Sequence, residues 1–525
     1  MAHSGYERLS ALDAAMVFME TSHTHMHIGN VGILEAGPLV TGNGALDIER
    51  IHAHIASGLD QLPRHRQRLA FIPIAHHPVW VDDHRFNVHY HVRHTALPPP
   101  GSVPQLKQLV GRIMSQKLDL AKPLWELWLV EGLEGGRCAM VNKLHHCMVD
   151  GISAVNVLSA YFSPDPAAPA RRPSAWRPRP APSAMELTMW ELQRRAGAPM
   201  ALARSVAGAL AHPGEAIRTI RETAEGAAEA VAGKLRPASK TPLNVEEVGP
   251  HRRVDWISFD LDEVKAVKNR LGGKVNDVVL ATVAGALRRY LPSHYTAGNG
   301  LDFRVVVPIN TRPASVLGAL GNRVVPTLAR LPLEIRDPRE RLRVIAQTTQ
   351  ALKGSKQVRA VEFFEDVSNW IDAAPVAELV RRVTRWWAGN LIVTDVPGPQ
   401  VPLYFLGARL LEAYPFVPMM ANQALGIALL SYAGGLSWGF NADRDAVTDL
   451  RDLIQCFTAE FAELKQVAGV SLVVRDDETA RVVEHRRPRP TAAGRNVRTS
   501  PPAIAGLTAG TDRAVGCETA KEAGV

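Results

Sequence analysis

Seven prolines fall within the nineteen residues 164–182, PDPAAPARRPSAWRPRPAP, and so dense a run denies backbone donors to helix and sheet alike. The chain must therefore build its elements on either side of this linker. On the near side, 1–163 alternates strand-like and helix-like runs. HIGNVGIL (27–34) and VHYHVRHTAL (88–97) read as strands, and about Ile48 to Leu62 and VPQLKQLVGRIMSQKL (103–118) as helices. WELWLVEGL (125–133) and RCAMVNKLHH (137–146) read as paired strands turning at Glu134-Gly135-Gly136, and after His146 the pattern becomes helical. Residues 164–248 are linker and helical connection. Leu202, Val206, Ala209 and Leu210 form a stripe at helical spacing there, suited to packing on the body or, more sharply, to a membrane surface.

A second α/β block occupies 249–474. VDWISFDL is a strand, LDEVKAVKNRLGG a helix closed by glycines, and NDVVLATVAGALRRYL a helix with Asn276 as its N-cap. FRVVVPINTR (303–312), NRVVPTLARLPL (322–333) and NLIVTDV (390–396) are strands; DPRERLRVIAQTTQALKG (337–354) and about Asp449 to Val467 are helices. Ala413 to Ala442 is free of charge for 30 residues, long enough to span a bilayer. Its Pro415, Pro418, Asn422, Gln423 and Gly434-Gly435 argue instead for a loop followed by a buried hairpin. Residues 475–525 are polar and rich in Pro, Arg and Ala, and read as a disordered basic tail.

Charge narrows the function classes. The 60 basic and 52 acidic residues leave +8, but 164–182 contributes +3 of it and 481–525 contributes +4. A nearly neutral body excludes a basic nucleic-acid groove, and basic appendages suit an anionic membrane surface. The four cysteines, Cys138, Cys147, Cys456 and Cys517, form no CxxC pair and point to a reducing cytosol. The N-terminus shows no signal-peptide pattern.

Chemistry concentrates in Lys143-Leu144-His145-His146-Cys147-Met148-Val149-Asp150-Gly151. A strand delivers two histidines at its end, where an imidazole can titrate near neutrality and take a proton from an alcohol. Asp150 then fixes the imidazole or the loop, and Gly151 allows close approach or a positive φ. By spacing alone, three other readings stand beside this one: ordinary strand residues on opposite faces, a His/His/Asp metal site, or a serine nucleophile, for which no GxSxG elbow exists. His23, His25 and His27 alternate, as do His89 and His91, without an acidic or thiolate partner at recognisable metal spacing. Arg381-Arg382 and Trp386-Trp387 suit a lipid interface or a core equally.

HHCMVDG matches the HHxxxDG signature, and the chain resembles the bacterial wax ester synthase/acyl-CoA:diacylglycerol acyltransferases. These are relatives of chloramphenicol acetyltransferase and of peptide-synthetase condensation domains. The resemblance spans roughly 1–470. It is carried by LSALDAAMVFMET (9–21), LPRHRQRL (62–69), Leu118-Asp119-Leu120, Pro123-Leu124-Trp125, Asn276-Asp277, Gly321-Asn322, VPGP (396–399) and LSYAGGLSWGFNAD (430–443) with Arg444-Asp445. One departure is Asp395, where the family pattern usually has asparagine.

The resemblance implies an α/β fold of two chloramphenicol acetyltransferase-like lobes with mixed sheets and an active-site tunnel between them. It implies a long-chain acyl group moved from acyl-CoA, a co-substrate, to diacylglycerol or a fatty alcohol, with no cofactor and no metal. His146 would be the general base, His145 supporting, Asp150 structural and Gly151 a loop former. Asn276, Asp277, Pro123, Leu124 and Trp125 would lie adjacent to the site. The implied setting is cytoplasmic, peripheral to the inner face of the membrane or to lipid bodies. Transfer to a different hydroxyl or amine, and a non-catalytic lipid-droplet scaffold, are the alternatives.

Overall fold

In a computed structural model, the described residues are 6–148, 154–169, 175–196, 238–292, 301–310, 324–353, 375, 378, 389–420 and 422–470. All lie within one compact unit, Met1–Ser471. Asp150, Gly151, the 202–210 stripe, Arg381-Arg382, Trp386-Trp387 and the 475–525 tail lie outside them.

Among the described residues, two six-stranded sheets and one three-stranded sheet organise the fold. The first large sheet runs β12 (Tyr404–Phe405), β13 (Ala408–Phe416), β2 (His27–Glu35), β7 (Arg137–His145), β6 (Trp125–Leu133), β5 (Val92–Ala96). The second runs β10 (Val324–Leu331), β9 (Phe303–Asn310), β11 (Leu391–Pro397), β14 (Leu425–Tyr432), β15 (Gly435–Asp443), β8 (Arg252–Asp260). The small sheet is β1 (Tyr6–Arg8), β4 (Pro78–Asp82), β3 (Gln67–Phe71). Both large sheets are mixed: β5 is parallel to β6, and β11 is parallel to β9 and β14, while their other pairs are antiparallel.

Helices cover these sheets: α1 (Ala11–Met19), α2 (Ile48–Gly58), α3 (Val88–His91), α4 (Val103–Ser115), α5 (Ala154–Tyr161), α6 (184–196), α7 (Leu261–Leu271), α8 (Val275–Tyr290), α9 (Pro338–Lys353) and α10 (Leu450–Ala468). The apolar α8 is buried from Asp277 to Leu287, in one cluster with α7, α10 and the second sheet. A separate cluster joins α1, the β2 and β7 strands and Cys147-Met148. No helix among the described residues is long and apolar enough to cross a membrane.

Three local expectations are corrected. Residues 88–97 are not one strand, because the Asn87 side chain accepts from the His89 N–H (3.0 Å) and caps the short α3 before β5 begins. Asn276 is not the N-cap of α8. That position is Lys274, whose N–H donates to the Asp277 carboxylate at 2.7 Å, so the acid inside the first turn closes it. The hairpin at 425–443 is present, but the first residues of the stretch before it, 413–416, end strand β13, and the non-strand segment begins only at Val417.

That strand carries Pro415 opposite Asn30 of β2. Its other neighbour, β12, pairs only with Ala408 and Arg409, so a proline beyond them need not break a ladder bond. β13 thus belongs to the first sheet although it follows the linker by more than two hundred residues. It passes so close to β15 that a Cβ on Gly439 would fall 1.8 Å from the Pro415 carbonyl oxygen, which requires glycine there.

Candidate active site

The paired strands β2 and β7 place His27 directly opposite His145. The strand ends at His145, and His146 opens a single 3₁₀ turn, His146–Met148, against which α1 packs. His145 is completely buried, whereas His146 is partly exposed. Alternation along the strand alone would send the two rings to opposite faces. The turn also lifts His146 off the ladder, its N–H donating to the Met26 carbonyl at 2.7 Å.

Pro123-Leu124-Trp125 frames this corner. The Leu124 carbonyl accepts from the His145 N–H at 3.0 Å. The Trp125 indole N–H donates to the His65 carbonyl at 2.8 Å. Its ring stacks on His91 at 4.8 Å, and His91 Nδ1 donates to the Trp125 carbonyl at 2.8 Å. Trp125 thereby fixes the entry of β6 beside β7.

The residue that sequence reasoning missed is Glu20, just past the end of α1. Its side chain is fully buried, yet it gathers donors: Lys117 Nζ at 3.0 Å, His27 Nε2 at 3.3 Å, the Met26 N–H at 3.3 Å and His145 Nε2 at 3.8 Å. Burial works against its ionisation, but the His27 hydrogen bond and the surrounding positive groups prevail and hold its carboxyl down at about 2. Desolvation keeps the imidazoles neutral, with His27 lowered to about 4 and His145 to about 3. An ionised Glu20 carboxylate beside the Lys117 ammonium and two neutral imidazoles is consistent with these shifts, while His27 Nε2 also lies 3.4 Å from the Leu118 N–H. His145 Nδ1 accepts from the Cys147 N–H at 3.2 Å, so its proton sits on Nε2, toward Glu20.

The alternating histidines, which have no partner at metal spacing in the sequence, make other contacts in the structure. His25 Nε2 donates to the Ser22 carbonyl at 2.9 Å, and His27 engages Glu20. Among the described residues no group of three His, Cys, Asp or Glu is placed to hold a metal ion. Burial pushes the Cys147 thiol well above its ordinary range, which leaves it no thiolate character for nucleophilic work. Signal for Glu20 existed in the sequence only as one letter of LSALDAAMVFMET; its meaning depends on a fold that closes β2 onto β7.

Asn276 is half-buried in the first turn of α8, and both Asp277 carboxylate oxygens are committed. One accepts the Lys274 N–H, the other the Thr349 hydroxyl of α9 at 2.6 Å. Asp395 lies on β11 opposite Leu429, partly buried, and its carboxylate has no hydrogen-bond partner among the described residues. Burial pushes it up to about 6. Because that value lies above the unfolded one, the protein loses stability as the pH rises through 6. Asp395→Asn is therefore expected to stabilise the fold by at most about 3 kcal/mol at pH 8, and by about half as much at pH 5. Denaturant titrations of both proteins at the two pH values check this; a gain that grows on acidification would refute it.

Comparison with known proteins adds to this geometry. Residues 9–279 match the wax ester synthase/diacylglycerol acyltransferase catalytic domain, and residues 320–465 match the C-terminal domain of the same family. A protein of Mycobacterium tuberculosis H37Rv bearing a diacylglycerol O-acyltransferase name is 32% identical over 465 residues, covering 87% of this chain and 90% of its own. A second from that strain, tgs1, named in the same way, is 30% identical over 472 residues, 89% of this chain and 97% of its own. The solved wax ester synthase/diacylglycerol acyltransferase of Marinobacter aquaeolei VT8 superposes with a TM-score of 0.60 at 25% identity, over 88% of this chain and all of that one. The starter condensation domain of rhizomide synthetase, solved with C8-CoA, shares the two-lobed fold at a TM-score of 0.53 and 13% identity, over 88% of this chain and 95% of its own.

Proposed function

Because the chain belongs to the wax ester synthase/diacylglycerol acyltransferase family, we propose that it transfers a long-chain fatty acyl group from acyl-CoA to diacylglycerol, forming triacylglycerol. Long-chain alcohols are the second acceptor class and give wax esters. The observation that carries the assignment of roles is the division of the histidine pair, one ring sealed in a charged cluster and its neighbour reachable from solvent.

His146 takes the proton of the acceptor hydroxyl as general base. The acceptor oxygen attacks the thioester carbonyl carbon, the carbonyl electrons move onto its oxygen, and their return expels the CoA thiolate. The proton held on His146 passes to that thiolate, so the enzyme ends as it began and forms no acyl-enzyme. His145 supports the turn through the Cys147 N–H, and because that N–H is occupied it is unavailable to the developing oxyanion. By the HHxxxDG resemblance, Asp150 takes a structural role and Gly151 that of a loop former. Asn276-Asp277 and Pro123-Leu124-Trp125 brace the surroundings. Attachment to the membrane or lipid bodies is peripheral, on the cytoplasmic side.

The test is release of free CoA from palmitoyl-CoA by the full chain, run with a diacylglycerol, with a long-chain alcohol and with neither. Release that needs an acceptor supports the transferase, and the faster acceptor identifies the product class. Release without acceptor means a thioesterase. No release from folded protein favours a scaffold or another acceptor.

A further inference from the structure

Helix α6 lies across the small sheet, and among the described residues only one of its faces is packed. Leu187 and Glu191 are buried, and Trp190 stacks on Tyr6 of β1 with ring centroids 5.1 Å apart. The opposite face carries Met185, Met189 and Leu192, which are 74%, 50% and 62% exposed. Their i, i+4, i+7 spacing makes one stripe. Pro73, in the turn between β3 and β4, lines the same shallow groove as these three side chains. Beside Pro73, Ile74 is 87% exposed and Phe71 42%. Isolated apolar residues on a surface mean little, but large ones grouped from two elements form a surface built to be covered.

Ile74 adds an independent sign. Its φ is +67°, a left-handed conformation that a β-branched residue adopts only at a cost and that asparagine or glycine would take freely. With its side chain in solvent, the isoleucine returns nothing to the fold. Such a strained choice points to use outside it.

Two observations name what covers this face. Arg8, Arg194 and Arg195 converge on the single buried carboxylate of Glu191 at 2.8, 2.7 and 2.8 Å, so that three guanidinium groups gather around one acid next to Leu192. Phe71 also packs on Phe18, near the end of α1 and two residues before Glu20, so the patch adjoins the helix that leads into the site. We propose that Phe71, Ile74, Met185, Met189 and Leu192, with the Arg8–Arg194–Arg195 cluster, form the face by which this protein docks on an anionic lipid surface. The choice of a lipid occupant rests on the water-insoluble acceptor assigned above.

The experiment is co-sedimentation of the full chain with phosphatidylcholine vesicles, with and without phosphatidylglycerol. It compares wild type, Ile74→Asn and the triple variant Met185→Ser/Met189→Ser/Leu192→Ser. Wild type is expected to bind the anionic vesicles more tightly, and less so as salt is raised. Each variant is expected to lose affinity about tenfold or more. CoA release from detergent-dispersed acceptor should be unchanged in both. Ile74→Asn should melt no lower than wild type, because it relieves the turn, which separates docking from folding.

Absence of vesicle binding by wild type, or binding that both variants retain, overturns the proposal. A wild-type dimer in light scattering that the triple variant abolishes, with vesicle binding unaltered, also overturns it in favour of a second copy on this face. Failure of CoA release from every dispersed acceptor, with vesicle binding still lost in the variants, sinks the acyl-transfer reading and leaves the docking face standing.

Discussion

His146→Ala is expected to reduce acceptor-dependent CoA release by about 10²–10⁴-fold, the range that a positioned general base contributes. The variant should fold normally. His146 is only partly buried, and its backbone N–H to the Met26 carbonyl is a bond that alanine keeps. His145→Ala is the contrasting control, since it empties a fully buried site and strips the Cys147 N–H of its acceptor. Both substitutions should slow turnover, but only His145→Ala should lower the melting temperature substantially. Initial rates and thermal unfolding of the two variants decide the matter. A His146→Ala protein with wild-type rates would remove this residue from the chemistry.

Substitution of Glu20 should give the next largest effect, by a different route. Met26 offers its N–H to the Glu20 carboxylate and its carbonyl to the His146 N–H, so a single peptide links the buried acid to the proposed base. Glu20→Ala leaves Lys117, His27 and the Met26 N–H without their acceptor. The expected cost is about 3 kcal/mol of stability and about 10²-fold in kcat. Glu20→Gln keeps a carbonyl oxygen for Met26 but loses the charge, and should fall between wild type and alanine, with KM for acyl-CoA little changed.

The pH dependence of stability is a second signature. Held at about 2, below the unfolded carboxyl value, Glu20 contributes stability that is present above about 4.5 and lost as the pH falls toward 2. The stability difference between wild type and Glu20→Gln should accordingly narrow on acidification below 4.5. A difference independent of pH, or a kcat unaltered in both variants, would contradict the positioning role.

What was legible in the sequence was local. Amphipathic spacing located α4, α7 and α10, and alternation with a glycine turn located the hairpin of β14 and β15. The HHxxxDG run brought attention to the end of β7 because a strand terminus with two histidines is chemically unusual. The misread segments depended on something not local. Residues 88–91 yielded to the Asn87 cap despite a strand-like pattern, and β13 looked like a loop because its prolines read as breakers until the open edge beside them is known. Glu20 was the hardest to see. A carboxylate after a short helix is ordinary in any sequence, and only the pairing of His27 with His145 gives it a site to serve.

The strand order of the first sheet bears on how the protein is made. During synthesis, β2 can pair with β7 as soon as the first 150 or so residues have emerged, yet its other side is filled only by β13. Until Phe416 leaves the ribosome, that side presents a row of unpaired N–H and C=O groups beside the histidine corner. Shielding of that nascent edge, by a chaperone or by slow release of the chain, becomes a requirement for yield. A ribosome-stalled or truncated product ending in the linker would carry the edge permanently and be prone to self-association.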